Sequence, residues 1–250
     1  MHATIQVRDG RSRDRGRSVS VAIAARMCVA VLCGAIAPAH AEDVKPAAQQ
    51  TMAPVEQYRM ASQSAEIALA RSAAPASISN DADVLVLGKH GYETAVKGKN
   101  GFVCLVERSW FASFDDPVFW NPRIRGPDCL NAAAASSVLP INLERTQWAL
   151  AGVSKAEMLV RTQSSAAAHQ APAAGAMGYM MSNQQHLSDA DGHWHPHLMF
   201  FLPHTAVSAW GANLAGSPVM GAQGESNEAT VFFVPVWTWS DGTSASMDMH

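Results

Sequence analysis

Three histidines at alternate positions are the side chains of this sequence best suited to chemistry. His193, His195 and His197 stand in the segment Gly192-His-Trp-His-Pro-His-Leu-Met. Because successive side chains of a strand point to opposite faces, a strand here would place the three imidazoles and Met199 on one face. Neutral imidazole nitrogens are good ligands for Zn²⁺ and Cu²⁺. The spacing therefore predicts a metal site, with zinc or copper as the candidate ion.

The same spacing limits the metal hypothesis. At about 3.3 Å per residue, His193 and His197 would lie roughly 13 Å apart, so one ion reaches all three imidazoles only if the strand bends. Pro196 could supply that bend. Further ligands would have to come from other segments, and the candidates are His90, His186, Asp189, Asp191 and His204. Two alternatives stay open: structural or surface histidines, and a ligand cleft without metal in which a histidine could act as a general base.

Motifs of the common enzyme families are absent from the sequence. It contains no G-x-S-x-G, no H-E-x-x-H and no C-x-x-C. Gly211 and Gly216 have the spacing of a phosphate-binding loop, but Ser217 and Pro218 replace the Lys and Ser/Thr that would contact phosphate and Mg²⁺. Catalytic groups can also come from distant segments, so the sequence alone assigns no enzyme activity and no catalytic residue.

The N-terminus has the three parts of a secretory signal peptide. A basic region that ends at Arg26 precedes an apolar stretch, 27–37, and Ala39-His-Ala41 gives the small-x-small pattern of a cleavage site. The apolar stretch is shorter than the roughly 20 residues that cross a bilayer. We therefore expect cleavage after Ala41, export to the periplasm or the medium, and no stable membrane insertion afterwards.

Charge and cysteine content agree with export. The chain has 18 basic and 21 acidic residues, and loss of six Arg and two Asp with residues 1–41 leaves a net charge of −7. An acidic chain is poorly suited to bind nucleic acid or an anionic membrane surface. The mature chain retains two cysteines, Cys104 and Cys129. Because export leads to an oxidising compartment, we expect them to form a disulfide; two buried thiols are the alternative.

Local patterns predict the elements that must position these residues. Helices are expected at 55–71, at 143–151 with Gly152 at its C-terminal cap, and from the capping box Ser154-Lys-Ala-Glu157 to about 168. Strands are expected at 83–87, 92–96, 102–107, 177–182, 194–202 and 230–237. Asn100-Gly101 favours a tight hairpin between the second and third strands. Residues 109–142 are expected to form a long packed loop held by Cys129.

Together these elements predict an α+β fold: a single domain with mainly antiparallel strands and two or three helices. The predicted organisation is a signal peptide at 1–41, a flexible leader, helix and linker at 42–80, a globular domain at 81–239 and a disordered tail at 240–250.

Three stretches of the sequence resemble a group of exported bacterial proteins with no established activity. They are Gly98-Lys-Asn-Gly-Phe-Val-Cys-Leu-Val-Glu-Arg108, Gly192-His-Trp-His-Pro-His-Leu-Met-Phe-Phe201 and Trp210-Gly-Ala-Asn-Leu-Ala-Gly-Ser-Pro218. The resemblance implies a bacterial exported domain and no particular site residue. The expected function is a non-catalytic envelope or ligand-binding role with an unknown ligand. The alternative is a metal-dependent enzyme or a metal-binding protein that uses His193, His195 and His197.

Overall fold

A computed structural model of the chain describes residues 51–190, 192–224 and 229–245. The predicted signal peptide, Asp191 and residues 246–250 lie outside the described residues. Described strands are β1 (Asp83–Leu87), β2 (Tyr92–Val96), β3 (Val103–Glu107), β4 (Gly126–Leu130), β5 (Met177–Met180), β6 (His197–Pro203), β7 (Met220–Gln223) and β8 (Ala229–Pro235). Described helices are α1 (Gln63–Arg71), α2 (Ala76–Ser79), α3 (Ala132–Ser137), α4 (Leu139–Leu150) and α5 (Lys155–Ser164), with 3-10 turns at Val55–Tyr58, Ser109–Phe111 and Val207–Trp210.

The strands form one sheet in the order β2-β1-β3-β4-β5-β6-β8-β7. Six of the seven pairings between described strands are antiparallel, and only β1 with β3 is parallel. Helices and strands are therefore combined as the predicted α+β class requires, with a mainly antiparallel sheet.

Helices cover the β1–β5 part of the sheet on both faces. On the α1 face, Leu69 and Ala70 pack against Cys104, Val106 and Cys129. The other face, which we call the α4 face, carries Leu105 and Leu130, and these pack against Ala134 of α3 and Leu139 of α4. The helix expected at 55–71 is thus divided into the 3-10 turn Val55–Tyr58 and the shorter α1.

The predicted number of two or three helices is wrong, because the described residues contain five α-helices. Asn131 caps α3 by accepting a hydrogen bond from the backbone of Ala134. This helix is made of Ala and Ser alone, so it has no apolar periodicity that would reveal it. Pro140 lies in the first turn of α4, where the missing N–H costs no helical hydrogen bond, and α4 therefore starts before the predicted residue 143.

Residues 109–142 do not form the predicted long loop, since they contain β4 as well as α3. All five residues of β4 are buried. The sequence pattern did not indicate this strand, because it begins with Gly126 and Pro127 and both residue types are rare within strands. β4 pairs with β5 only at Cys129 and Leu130, so Pro127 costs no hydrogen bond on that side.

The predicted hairpin at Asn100-Gly101 is also wrong. β2 pairs with β1, and β3 pairs with the other side of β1 in parallel. Gly101 does have a positive φ of 79°. The positive φ of Gly101 was therefore predicted correctly. However, the connection after β2 crosses to the far side of β1, so β3 pairs with β1 and not with β2.

Cys104 and Cys129 lie at bonding distance across β3 and β4, which is consistent with the predicted disulfide. The two residues are directly opposite in the strand register, with their Cα atoms 4.0 Å apart. Both side chains are fully buried against α1.

Over residues 51–190, 192–224 and 229–245, no helix combines the length and apolar character needed to cross a membrane. The domain boundaries expected from the sequence stay predictions.

Candidate functional site

The histidine segment does not form a row on one straight strand. His197 is the first residue of β6, whereas His193 and His195 precede the strand. His193 is exposed, His195 is half-buried and His197 is 1% exposed. Alternation holds only within β6, where His197 and Met199 are both buried on the α4 face.

His197 is held as a neutral imidazole. Its Nδ1 donates a hydrogen bond to the backbone carbonyl of His195 (2.8 Å). Since a carbonyl only accepts, Nδ1 carries the proton and Nε2 keeps its lone pair. Burial lowers the pKa of His197 from 6.5 to about 4. This is the form in which an imidazole can bind a metal ion or accept a hydrogen bond.

Aromatic rings from three segments surround these histidines. The ring of Trp194 lies 4.5 Å from that of His197 and 6.3 Å from that of Phe233 on β8. His193 meets Trp239 edge-on, with the ring centroids 5.6 Å apart. These separations fall in the range at which aromatic pairs attract each other. The segment is thus embedded in an aromatic cluster, which we define as His193, Trp194, His197, Phe233 and Trp239.

A tight turn after β8 places Trp239 in this cluster. The backbone N–H of Trp239 donates to the carbonyl of Thr243, and the Asp241 side chain accepts from the backbone and hydroxyl of Thr243. Ser240 ties the turn to the rest of the protein, because its N–H donates to Met181 and its hydroxyl to Ser72. These bonds fix the backbone from which the Trp239 side chain extends.

A cleft of about 230 Å³ lies beside the aromatic cluster. Its walls are formed by Leu187, Ser188, Gly192, His193 and Trp194. The backbone N–H of Leu187 donates to the carbonyl of Gly192 (2.6 Å), which closes the loop that forms one wall. The side chains of Leu187 and Trp194 make this wall largely apolar. We call this space the aromatic cleft.

The described residues bring no metal shell together. Among residues 51–190, 192–224 and 229–245, no three or more His, Cys, Asp or Glu side chains are grouped so that they could hold an ion. His186 bonds instead to Asp189 (3.0 Å), which also pairs with Arg123. His204 follows the far end of β6, and His90 is exposed between β1 and β2. Asp191 lies outside the described residues.

Two carboxyl groups, the buried Asp128 and the half-buried Glu107, share the α4 face with His197, and the sequence analysis did not select them. Asp128 on β4 lies opposite Leu105, and Glu107 on β3 lies opposite Gly126. If the β4–β5 register is extended by one residue beyond Cys129 and Tyr179, Met180 lies beside Asp128, and Met180 pairs with His197 on β6. Hydrophobic alternation could have shown that both acids fall on a buried face, but only the register places them together.

Burial dominates the chemistry of this carboxyl pair. Asp128 is 1% exposed, and its Oδ1 has no hydrogen-bond partner among the described residues. Desolvation raises the pKa of Asp128 well above its ordinary value, and the charge of Glu107 raises it further, against the smaller opposing effect of a hydrogen bond from the backbone of Cys129. Desolvation also raises the pKa of Glu107, to about 7, against the opposing effect of the Arg145 guanidinium.

A second cleft of about 220 Å³ lies between α1 and the β1–β2 hairpin. The carboxylate of Glu66 reaches its wall but is already neutralised. It forms a 2.8 Å ion pair with the buried Arg108 and accepts a hydrogen bond from the backbone of Leu87. Arg108 also donates to the backbone carbonyl of Tyr58. These bonds join α1 to the sheet, so we assign the pair a structural role.

The chain matches no protein-family model, no curated protein and no solved structure. Its function must therefore be inferred from the chemistry of its sites.

Proposed function

We propose that this protein is an exported, non-catalytic ligand-binding protein and that the aromatic cleft is its binding site. The ligand that fits best is a small molecule with a single aromatic ring, which would lie against Trp194. The convergence of Trp194, His193 and Trp239 beside an open cleft is the observation that carries this proposal.

Size and lining support this ligand class. Clefts that take drug-sized molecules measure roughly 300–1,000 Å³. The aromatic cleft, at about 230 Å³, suits a single ring. Indole and imidazole faces favour offset-stacked or edge-on contact with a further ring. His193 and Ser188 at the cleft offer polar groups that could orient a ring substituent.

Export is supported by the N-terminal pattern and by the disulfide. Disulfides persist mainly in oxidising compartments. The bond between Cys104 and Cys129 is thus consistent with an extracellular location. We assign the protein to the periplasm or the medium, and the excess of acidic residues argues against nucleic acid as the ligand.

Ligand-observed NMR by saturation transfer would test the binding site, with phenol as the probe. We expect transfer to phenol from the wild-type protein and its loss in Trp194→Ala. Trp210→Ala is the matched control, because Trp210 is 40% exposed and stacks on Phe232, on the α1 face of the sheet. Trp194→Phe keeps a ring at the position and should retain most of the transfer.

Two results would contradict this proposal. One is equal transfer in the wild type and in a folded Trp194→Ala variant. The other is that the wild type transfers no saturation to phenol. If glucose, tested in the same way, then receives transfer, the cleft prefers a saccharide to an aromatic ring.

Metal binding by the histidine segment is the second candidate function. It is favoured by the neutral His197, whose Nδ1–H is fixed by a carbonyl, since such a bond often orients a metal-binding imidazole. Elemental analysis of protein purified without an affinity tag, followed by Zn²⁺ and Cu²⁺ titration, separates the candidates. Stoichiometric metal that is lost in His193→Ala/His195→Ala would support this function. Substoichiometric metal and unchanged affinities would exclude it.

A further inference from the structure

Glu107 and Asp128 are placed to interact across two adjacent strands. They are diagonal neighbours on the α4 face, because Asp128 lies opposite Leu105 and Glu107 opposite Gly126. Diagonal positions of an antiparallel pair are roughly 7–8 Å apart, which is within reach of side chains that lean toward each other. The two carboxyl groups therefore feel each other's charge through a largely apolar surrounding.

The surroundings of Asp128 favour a neutral carboxyl group. A Cβ added at Gly178 would lie 2.7 Å from Asp128 Oδ1, 3.0 Å from Leu130 Cδ2 and 3.2 Å from Met199 Cε. Oδ1 thus lies among aliphatic and thioether groups and has no donor among the described residues. An ionised oxygen without a donor is costly in such a place, and protonation removes that cost.

Among the residues that the structure describes, the charged groups that act on the pair supply one positive charge against two carboxylates. Arg145 of α4 acts on Glu107, and its guanidinium also lies over the ring of Phe114. Tyr92 of β2 is a neutral phenol, since burial raises its pKa far above neutrality, and its hydroxyl donates to the Val106 carbonyl. His197 of β6 is neutral, and Glu66 and Arg108 pair with each other on the other side.

We infer that the half-buried Glu107 and the buried Asp128 form a proton-binding site, which holds one proton on one of its two carboxyl groups at neutral pH and releases it as the pH rises. The proton neutralises one carboxyl group, and Arg145 then balances the other. This site is separate from the aromatic cleft and does not depend on the proposed ligand.

The site has a defined effect on stability. A carboxyl group whose pKa is raised in the folded protein holds a proton that the unfolded chain has already lost. Its stabilising contribution is complete below the unfolded pKa of about 4 and declines as pH rises through the folded pKa. For Glu107 that decline extends to about pH 7. For Asp128, whose pKa is also raised, the decline likewise lies above its ordinary pKa.

Infrared spectroscopy of the full chain tests the site directly. A protonated carboxyl group has a carbonyl stretch that a carboxylate lacks. We expect this band in the folded wild type at pH 7 and a decrease in its intensity as the pH is raised further. Asp128→Asn should weaken it, and Glu107→Gln, which removes a charge that raises the pKa of Asp128, should make the band disappear at a lower pH than in the wild type. Glu56→Gln is the control, because Glu56 is exposed in the turn Val55–Tyr58 and should leave the band unchanged.

Thermal unfolding provides a second readout. At each pH we compare the Tm of Asp128→Asn with that of the wild type. We expect this difference to shift in favour of the variant by about 2–4 °C or more between pH 4 and pH 8, because only the wild type must ionise Asp128. Absence of the infrared band from the folded wild type at pH 7 would overturn the inference without relying on any variant. A band whose intensity and pH dependence are the same in the wild type and in both folded variants would also overturn it.

Discussion

At the scale of single residues, the α4 face holds ionisable groups that respond to pH in opposite directions. Asp128 and His197 are both 1% exposed, and each is held in its neutral form by burial. Raising the pH forces the acid to ionise, whereas lowering it forces the imidazole to take up a proton. Their contributions to the pH dependence of stability therefore partly cancel in the wild type, and single variants are needed to separate them.

His197→Gln should make the protein less sensitive to acid. The folded pKa of His197 is about 4 and its ordinary pKa is 6.5, so its contribution is complete above pH 6.5 and is lost as pH falls toward 4. That loss is on the order of 3 kcal/mol and is absent from the variant. Urea unfolding at pH 4.5 and at pH 7 measures how much stability each protein loses in acid.

His90→Gln is the control, because His90 is exposed and its replacement should leave the acid sensitivity of the wild type unchanged. Equal acid sensitivity of the wild type and both variants would contradict this prediction.

Residue types alone predicted part of this chemistry. The paired cysteines followed from their even number and from the expected compartment. The histidine segment was selected by spacing, but a row on one face requires the strand to begin before His193, and it begins at His197. Glu107 and Asp128 carry no motif. Their interaction arises from a strand pairing between segments separated by 18 residues, which composition and periodicity do not encode.

At the scale of elements, strands made of β-branched and aromatic residues were predicted well. The expected strand at 83–87 agrees with β1, and the expected strand at 92–96 agrees with β2. β4 and β7 were missed because both contain glycine and β4 also contains proline, and these residues are uncommon within strands. The turn at Gly152 was recognised because a glycine C-cap is a local signal, and Gly152 and Val153 donate to Ala149 and Trp148 as that cap requires.

Gly178→Ala should destabilise the protein although alanine is usually the better strand residue. The added Cβ would lie 2.7 Å from Asp128 Oδ1, so the buried carboxyl group or β5 must move. We expect a loss of about 1–3 kcal/mol, as is typical of overpacking. Gly224→Ala provides a control in a loop beside β8. In an Asp128→Ala background the cost should shrink, and an unchanged cost there would show that Asp128 does not set the need for glycine.

Removal of the disulfide should lower stability without changing the fold. The bond joins residues separated by 25 positions and connects strands that are already paired. Cys104→Ser/Cys129→Ser is expected to lose about 3 kcal/mol, mainly because the unfolded chain becomes freer. Denaturant unfolding of the oxidised wild type and of the variant measures this difference. Equal midpoints would contradict it.

At the scale of the whole molecule, strand order was the least predictable property. The local patterns gave α+β and a mainly antiparallel sheet, but the order depends on which buried faces meet after folding. β1 lies between β2 and β3, and β8 lies between β6 and β7. Helices pack on β1–β5, whereas the apolar side chains of β6 and β8 are largely half-buried. Nothing in the local sequence distinguishes these two halves.

Export also concerns the whole chain. Removal of residues 1–41 should leave a mature protein that begins at Glu42 and retains both bonded cysteines. The intact mass of protein recovered from the periplasmic fraction or the medium checks the expected cut. Protein that retains residues 1–41 and stays in the cytoplasm would contradict this prediction. Ala41→Leu should block the cut, because the cleavage site requires a small residue.

The join between β4 and β5 consists of two residue pairs, whereas β6 and β8 share seven. On the other side of that join, β3 and β4 share five pairs and a covalent bond. Such a sheet should open in cooperative parts rather than all at once. In native-state hydrogen exchange, we expect amides of β6 and β8 to exchange through a shared partial unfolding that leaves β3 and β4 protected. Equal opening free energies on both sides of the join would instead make the sheet a single cooperative unit.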